Sequence, residues 1–530
     1  MTEGERTITE RIVGFIDIGT NSIRLLVVRF NPNHSYSILS KKKQQVRLGE
    51  GEFNRQEILP EAMDRAVAAC KIFIELARTF GCEEFVAVAT SATREAVNRN
   101  EFLTRLRHEA QLDVRVISGQ EEARLIYMGV ASGVHLNKRC AIFIDIGGGS
   151  TEIAVGDEHK YVYLESLKLG SIRLTNQYFS PDDTGRVSQE QYKILQHHVK
   201  DSIGPVVQKV KTLNPEIAIG SSGTIINLAE IAHRSLHDNS SLSNGSLTHH
   251  DLKRVIELLC GLPLEERRKV AGMNPERADT IIAGASILDI IMKELGIERI
   301  IITNRGLQDG LLADYYYRID EFPLFGELSP RQRSVLQLGR SCGINEVHAR
   351  TVTSLALGLF DSSRKFKLHL FGDKERELLE YATFLHDVGS FISYTNHHAH
   401  SYYIIRNAEL LGFEQKEITI VANIARFHRK KTPGNKIVEM LDLEPAEREM
   451  VKILSTFLRL AEILDRSHAA LVLQVRFAKV KKDTAYLEVV ARGDSQIELW
   501  GIETEKKAFF RIFGKQLMLE LQRKELEPIG

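Results

Sequence analysis

The apolar and polar positions of this chain fall into three successive regimes. From Val13 to about Val134, short runs of β-branched and aromatic residues alternate with amphipathic stretches. IVGFIDIG and SIRLLVVRF read as a strand hairpin, EAMDRAVAACKIFIELARTF as an amphipathic helix and EFVAVAT as a buried strand. The ordering then restarts. CAIFIDIGGGSTEIAVG opens a second set, IAIGSSGTIINLAEIA reads as strand, glycine turn and helix, and the set ends near RIIITNRGLQDGLLADYY. A charged, Pro-containing stretch at about 318–333, RIDEFPLFGELSPRQR, marks a boundary. Residues 334–470 then follow the helical period, in EVHARTVTSLALGLFDSSRKF, ERELLEYATFLHDVG, EITIVANIARFHRKK and EMVKILSTFLRLAEILDRS. After them LVLQVRFAKVKK and TAYLEVVARG return to alternation. The pattern predicts an α/β lobe over 1–135, a second over 136–317, an all-α domain over 318–475 and a small α+β domain over 476–530.

The restart carries a repeated motif. Phe15-Ile16-Asp17-Ile18-Gly19-Thr20-Asn21-Ser22 returns as Phe143-Ile144-Asp145-Ile146-Gly147-Gly148-Gly149-Ser150. In each copy an apolar strand delivers an Asp into a turn where Gly leaves backbone N–H groups exposed. Asp17, Asp145 and Glu152 offer carboxylates to a hard cation, and the two turns offer amides to phosphate oxygens. One such loop is also what an ordinary tight hairpin looks like. Its duplication argues for a two-lobed enzyme that grips a phosphate chain and a metal.

Composition narrows the picture. Across 530 residues, 70 Lys and Arg balance 70 Asp and Glu, so no global field marks a nucleic-acid binder and any polyanion site must be local. The 5 cysteines are widely spaced and odd in number, which argues against a disulfide framework and for a cytosolic setting. The opening MTEGERTITERIVGF lacks the apolar core of a secretion signal, and no apolar run approaches the ~20 residues of a membrane span. A soluble, cytoplasmic protein is expected.

The duplicated loops resemble those of the actin, hexokinase and sugar-kinase superfamily (ribonuclease H-like lobes). A narrower likeness follows from ATSATREAVN at 89–98, ISGQEEARLIYMGV at 117–130, FIDIGGGSTE at 143–152, GSIRL at 170–174, IGSSGT at 219–224 and GLQDGLL at 306–312. Their order and spacing resemble the exopolyphosphatase and guanosine pentaphosphate phosphatase (Ppx/GppA) family over about 12–315. The resemblance implies that Glu122 is the general base that deprotonates a water attacking a terminal phosphorus. Its neighbour Glu121 is placed only to favour a helix start. It also implies that Asp145 and Glu152, with Asp17, are the Mg²⁺-associated carboxylates. Gly19, Thr20, Asn21, Ser22, Gly147, Gly148, Gly149 and Ser150 would then contact phosphate, and Arg94 would meet the phosphoryl group by its bidentate geometry. Ser222, Gly223 and Thr224 stand at the superfamily's nucleotide-contact loop, with helix capping as their plainer role. Gln308-Asp309 departs from the family's more usual Arg-Glu. Lys41, Lys42, Lys43, Arg47 and the run His428-Arg429-Lys430-Lys431 are candidate stations for a polyanion, or solvated faces.

In the helical region His348, His386-Asp387, His400, His428 and Asp465 are spaced across successive helices. This resembles the HD metal-dependent phosphohydrolase pattern, in which a His, a His-Asp pair and a distant Asp converge on divalent ions; the alternative is histidines that pack helices. The resemblances together imply a Mg²⁺-dependent hydrolase that removes terminal orthophosphate from inorganic polyphosphate, with a possible second metal in the HD-like domain and a homodimer extending the polyanion groove. Hydrolysis of guanosine pentaphosphate to the tetraphosphate is the nearest alternative. A kinase of the superfamily and a non-hydrolytic sensor of an alarmone or polyphosphate are more distant ones.

Overall fold

The computed structural model describes residues 10–51, 53, 56–180, 184–236, 245–319, 328–429, 438–492 and 495–523. The chain divides into two compact units, residues 1–32 with 36–330, and residues 33–35 with 331–530. Residues 320–327 of the Pro-containing boundary stretch, together with Lys430 and Lys431, lie outside the described residues.

The first unit holds two sheets. Strands β1 (Arg11–Ile18), β2 (Ser22–Phe30), β3 (Tyr36–Gln45), β4 (Glu84–Ala89) and β5 (Val114–Val116) lie in the order β3-β2-β1-β4-β5. The pairs β1–β2 and β2–β3 are antiparallel, whereas β1–β4 and β4–β5 are parallel. Strands β6 (Ala141–Ile146), β7 (Thr151–Gly156), β8 (Tyr161–Leu167), β9 (Ile217–Ser221), β10 (Ser246–Thr248) and β11 (Arg299–Ile302) lie in the order β10-β11-β9-β6-β7-β8. With β10 set aside, β8-β7-β6-β9-β11 repeats the first sheet pair by pair, three antiparallel strands followed by two parallel ones. This is the duplicated actin-like α/β arrangement. Every residue of β6 and β7 is buried, which is why these strands read as continuous apolar runs: both faces of the sheet are covered.

Each lobe has its own apolar core, and a third cluster joins them. Phe15 and Val88 from one sheet meet Phe143 and Ile219 from the other there, with Leu125 and Val130 of helix Gly119–Ala131 and Leu311 of helix Leu307–Ile319. The two helices cross with their backbones touching. A Cβ on Gly310 would lie 1.8 Å from the Leu125 carbonyl oxygen, and one on Gly129 would lie 2.2 Å from that of Gly306. Only glycine allows that approach. The helix that carries Glu122 in its first turn is thereby held at a fixed height over both sheets.

In the second unit, helices Glu346–Lys365, Asp373–Phe384, His397–Asn407, Gln415–Arg426 and Pro445–Ile463 precede β12 (Val472–Val480), β13 (Thr484–Ala491), helix Gln496–Phe513 and β14 (Gln516–Arg523). β12 and β13 pair antiparallel, and β13 and β14 parallel, the helix making the crossover. One core runs through all of it, with Phe360 and Phe457 of the helices sharing it with Phe477, Leu487 and Phe509. The helices and the small sheet therefore bury a common apolar face. All five cysteines are free thiols. Among the described residues no helix is long and apolar enough to cross a membrane.

Candidate active site

Strand ends place the carboxylates. Asp17 and Asp145 are the penultimate residues of the equivalent strands β1 and β6, so the repeat presents both at one edge of a cleft of about 360 Å³ between the lobes. The turns that follow close alike: Gly19 N donates to Ser22 O at 3.1 Å, and Gly147 N to Ser150 O at 2.9 Å. Gly19, Thr20, Asn21, Ser22 and Gly147, Gly148, Gly149, Ser150 all line the cleft. The loops also meet, since a Cβ on Gly148 would lie 3.1 Å from the Thr20 side chain. Arg173 fastens the second loop, donating from Nε to Gly149 O at 2.7 Å and from Nη2 to Glu95 Oε1 at 2.6 Å, with its guanidinium 4.0 Å above the Phe53 ring.

Glu122 enters the cleft from the first turn of helix Gly119–Ala131, whose N-cap Ser118 accepts from Glu121 N. Arg94 Nη1 donates to Glu122 Oε2 at 2.9 Å and to Ile117 O at 3.0 Å. Arg94 is not among the residues that line the cleft, and its guanidinium pairs with the Glu122 carboxylate. Glu121 instead forms a two-pronged pair with Arg124, at 2.8 and 2.9 Å, which holds its carboxyl below the ordinary range. The two neighbouring glutamates thus have opposite environments.

Burial pushes Glu122 up to about 7 against the pull of Arg94, and the nearby Asp17 and Asp145 push it further. Asp17 is raised to about 6, again first by burial. Asp145 is raised by burial although Ser221 Oγ donates to its Oδ2 at 2.5 Å. Glu152 sits directly across the β6–β7 ladder from Asp145, accepts from Ser166 Oγ at 2.8 Å, and is raised by burial and by Glu122 and Asp145. It is buried and is not among the lining residues. Four crowded carboxylates of this kind fit a divalent cation, and one observation makes the fit specific: Asp17 Oδ1 is buried with no hydrogen-bond partner.

The cleft also carries cations close to these carboxylates, Arg24 lying directly across the β1–β2 ladder from Asp17. Arg24, Lys43 and Arg277 line the same cleft. Arg277 is lowered to about 10 by burial and then by Arg24, and Lys43 is lowered by desolvation and then by Arg277 and Arg24. Three cations crowded at one cleft suit it to an anion. Among the described residues that line the cleft there is no aromatic side chain.

Ser222 and Gly223 line the cleft, whereas Thr224 is buried against Gly284. Ser222 holds a left-handed backbone, φ +81°, and its Oγ donates to Ile146 O at 2.8 Å. Strain of this sort concentrates at ligand-binding turns. Lys43 alone of the lysine triplet reaches the lining; Arg47 ties the lobes together through Asp279, at 2.9 Å, and the Glu276 carbonyl. Sequence reasoning misses Arg173, Arg277 and Ser221. The motif GSIRL contains Arg173, but nothing in it signals that the side chain folds back on the glycine loop.

In the second unit His348, His386, Asp387 and His428 do converge. Glu462 and His397, neither of which the HD-like spacing picks out, join them. Asp465 stands behind His348, and His400 is not in the cluster.

Residues 26–318 match the family model described as the Ppx/GppA phosphatase family, and residues 331–502 match that described as Ppx/GppA phosphatase, domain III. Among solved structures, an exopolyphosphatase from Cytophaga hutchinsonii is 27% identical with a TM-score of 0.54, covering 58% of this chain and 99% of its own. An exopolyphosphatase-like protein is 26% identical with a TM-score of 0.53, over 58% of this chain and 99% of that one. A Ppx/GppA family member from Aquifex aeolicus is 27% identical with a TM-score of 0.49, over 59% of this chain and 100% of its own.

Proposed function

Since this chain belongs to the Ppx/GppA phosphatase family of phosphoanhydride hydrolases, we propose that it is an exopolyphosphatase, releasing orthophosphate from the end of inorganic polyphosphate by attack of water. The observation that carries this reading is the composition of the cleft: a buried carboxylate held by one arginine, together with glycine loops and with Arg24, Lys43 and Arg277, and among the described lining residues no aromatic ring. A similarity to exopolyphosphatases of known structure agrees with it.

Glu122 takes the proton of the attacking water as the water oxygen bonds to the terminal phosphorus. The phosphoanhydride P–O bond to the next phosphate breaks, and the shortened chain leaves as an anion stabilised by Arg24, Lys43 and Arg277. Arg94 is a positioning residue, fixing one oxygen of Glu122 so that the other meets the water. The amides of the 19–22 and 147–150 turns stabilise charge on the transferred phosphoryl oxygens, and Arg173 keeps the second turn in place. Asp17 and Asp145 would hold Mg²⁺, with Glu152 adding negative charge behind them; when bound, the cation neutralises phosphate oxygens and draws the carboxylates into their ionised form.

The test is orthophosphate release with Mg²⁺ from long-chain polyphosphate and guanosine pentaphosphate, offered side by side at equal terminal-phosphate concentration. Preference for polyphosphate is expected. Preference for the nucleotide would overturn the substrate assignment while leaving the chemistry, and no release from either would overturn both.

A further inference from the structure

The short helix Ser91–Glu95, which follows β4 in the first lobe, ends on two charged residues side by side. Arg94 pairs with Glu122. Glu95 meets a different partner, Arg173 of helix Ser171–Tyr178 in the second lobe. Its Oε1 accepts from Arg173 Nη2 at 2.6 Å and from Ser91 Oγ at 3.1 Å, and its Oε2 lies 3.3 Å from Lys168 Nζ. Burial works against the Glu95 carboxylate, yet the hydrogen bond and charge of Arg173 outweigh it and hold the carboxyl below its usual range. The Arg173 and Glu95 side chains are only 11% and 21% exposed, whereas Lys168 is 78% exposed. The pair with Arg173 is therefore the one that fixes geometry, and Lys168 is a solvated neighbour.

The Arg173 guanidinium is shared between the lobes. Its Nε donates to Gly149 O of the second lobe, while Nη2 donates to Glu95 and to Ser91 Oγ, at 3.3 Å, and the plane lies over the Phe53 ring, all three in the first. The lobes touch at the same place. A Cβ on Gly149 would lie 2.5 Å from Ser91 Oγ and 2.7 Å from the Phe53 ring, so only glycine lets the loop come this close. The loop is bonded in turn to the start of the arginine's own helix: Ser171 N donates to Gly147 O at 3.0 Å, and Ile172 N and Arg173 N donate to Gly148 O at 2.9 and 3.0 Å. Loop and first helical turn form one body. Glu95 ties that body to the first lobe by a charge-assisted hydrogen bond, which is both strong and directional.

From this geometry, and resting on the hydrolysis proposed for the cleft, we infer that Glu95 is a positioning residue: through Arg173 it sets the 147–150 loop of the second lobe at a fixed distance from Glu122 of the first. Helix Ser91–Glu95 thereby serves both halves of the reaction, orienting the proton acceptor through Arg94 and the phosphoryl-binding amides through the next residue. Glu95 is not among the residues that line the cleft, and its action on the chemistry passes through Arg173. The spacing matters most in the transition state. Water is deprotonated on one lobe while charge on the phosphoryl oxygens is received on the other, so a loop displaced by a fraction of an ångström loses stabilisation at the moment of transfer. Ground-state binding suffers less, because Arg24, Lys43 and Arg277 still hold the polyanion.

The test compares full-length parent, Glu95→Ala, Glu95→Gln and Lys168→Ala in two measurements: steady-state orthophosphate release from long-chain polyphosphate with Mg²⁺, and amide hydrogen exchange without substrate. Glu95→Ala should lower kcat about tenfold or more and change KM less than about twofold, the split expected when an interaction is lost chiefly in the transition state. Glu95→Gln still accepts a hydrogen bond from Arg173 and should recover part of that loss, and Lys168→Ala should match the parent. The amides of Gly147, Ser171, Ile172 and Arg173 should exchange about tenfold faster in Glu95→Ala, as the body they belong to loses its tie. Parent-like kcat or unchanged exchange in a folded Glu95→Ala protein would overturn the inference, as would a fall in kcat/KM carried by KM alone or an equal loss in Lys168→Ala. If Glu95→Ala does not fold, Glu95→Gln is read by the same criteria. A parent that releases no orthophosphate overturns the hydrolytic reading instead, and the exchange comparison then decides by itself whether Glu95 holds the loop.

Discussion

Replacing Glu122 by Gln should slow turnover and stabilise the protein at the same time, and the second effect has a signature in pH. The carboxyl is buried and raised from its ordinary 4.5 to about 7. Holding it ionised in the fold therefore costs about 3 kcal/mol once both states have lost the proton. The sign follows from proton counting. Between 4.5 and 7 the folded state keeps a proton that the unfolded chain has released, so the parent loses stability as pH rises through this window and the loss is complete above 7. An amide at this position never ionises, so the Glu122→Gln variant escapes the loss. In the metal-free protein the variant should be more stable by about 3 kcal/mol at pH 8 and by less than about 1 kcal/mol at pH 5. For a unit of this size that is roughly 4 °C in unfolding midpoint at pH 8. Turnover should fall by at least ~10²-fold, the range for losing a general base, with substrate binding largely kept. Steady-state orthophosphate release and thermal unfolding in chelator at the two pH values measure both. Equal turnover would remove Glu122 from the chemistry, and a stability gain independent of pH would refute the buried, proton-holding carboxyl.

Three further outcomes are expected. Arg94→Met removes the cation that opposes burial at Glu122, so the acid limb of the pH–rate profile should move up by about one pH unit or more and activity at pH 7 should fall about tenfold, partly recovered at pH 9; an unmoved limb would show that Glu122 is not the titrating base. Arg277→Ala should raise KM for polyphosphate about tenfold at low salt with little change in kcat, and flatten the dependence of KM on salt, as loss of one phosphate-neutralising charge requires; an unchanged salt slope would place the polyanion elsewhere. Gly310→Ala puts a methyl group 1.8 Å from the Leu125 carbonyl oxygen, and overpacking of this kind costs roughly 1–3 kcal/mol, seen as a lower unfolding midpoint together with reduced turnover because Leu125 belongs to the helix of Glu122; a parent-like midpoint would show that the helix pair gives way freely.

The sequence exposed what is repeated or periodic and hid what depends on the path of the chain. The two Asp-Gly loops were legible because a duplicated lobe repeats its turn chemistry, and the structure repeats it down to the matching Gly19 and Gly147 hydrogen bonds. The helices of the second unit were legible from their period. The lone cations were not: Arg277 sits in an ordinary polar stretch, NPERAD, and only the return of that segment to the cleft sets it beside Arg24 and Lys43. Arg94 was legible as a residue of interest but not in its contact, since the sequence carries no sign that its guanidinium turns to Glu122. In the helical unit a His-Asp dipeptide stands out in a sequence, whereas Glu462 is one glutamate among many until three helices bring His348 and His386 onto it.

A common physical cause links the residues whose contacts the sequence hid. Each is a charged side chain whose role is to satisfy another polar or charged group in a buried place, Arg94 on Glu122, Arg173 on the Gly149 loop, Glu462 between two histidines. Local pattern reports which face of an element is buried, but a buried charge is tolerated only where a partner meets it, and that partner lies far away in sequence: 28 residues separate Arg94 from Glu122, and 114 separate His348 from Glu462. A buried charge therefore marks a place where distant parts of the chain must meet. Arg331, paired with Glu377 and Glu417, is one that a plain ion pair explains, whereas the cleft carboxylates leave Asp17 Oδ1 without a hydrogen-bond partner and the helical unit packs imidazoles against Glu462 and Asp387, so these two places ask for more than an ion pair.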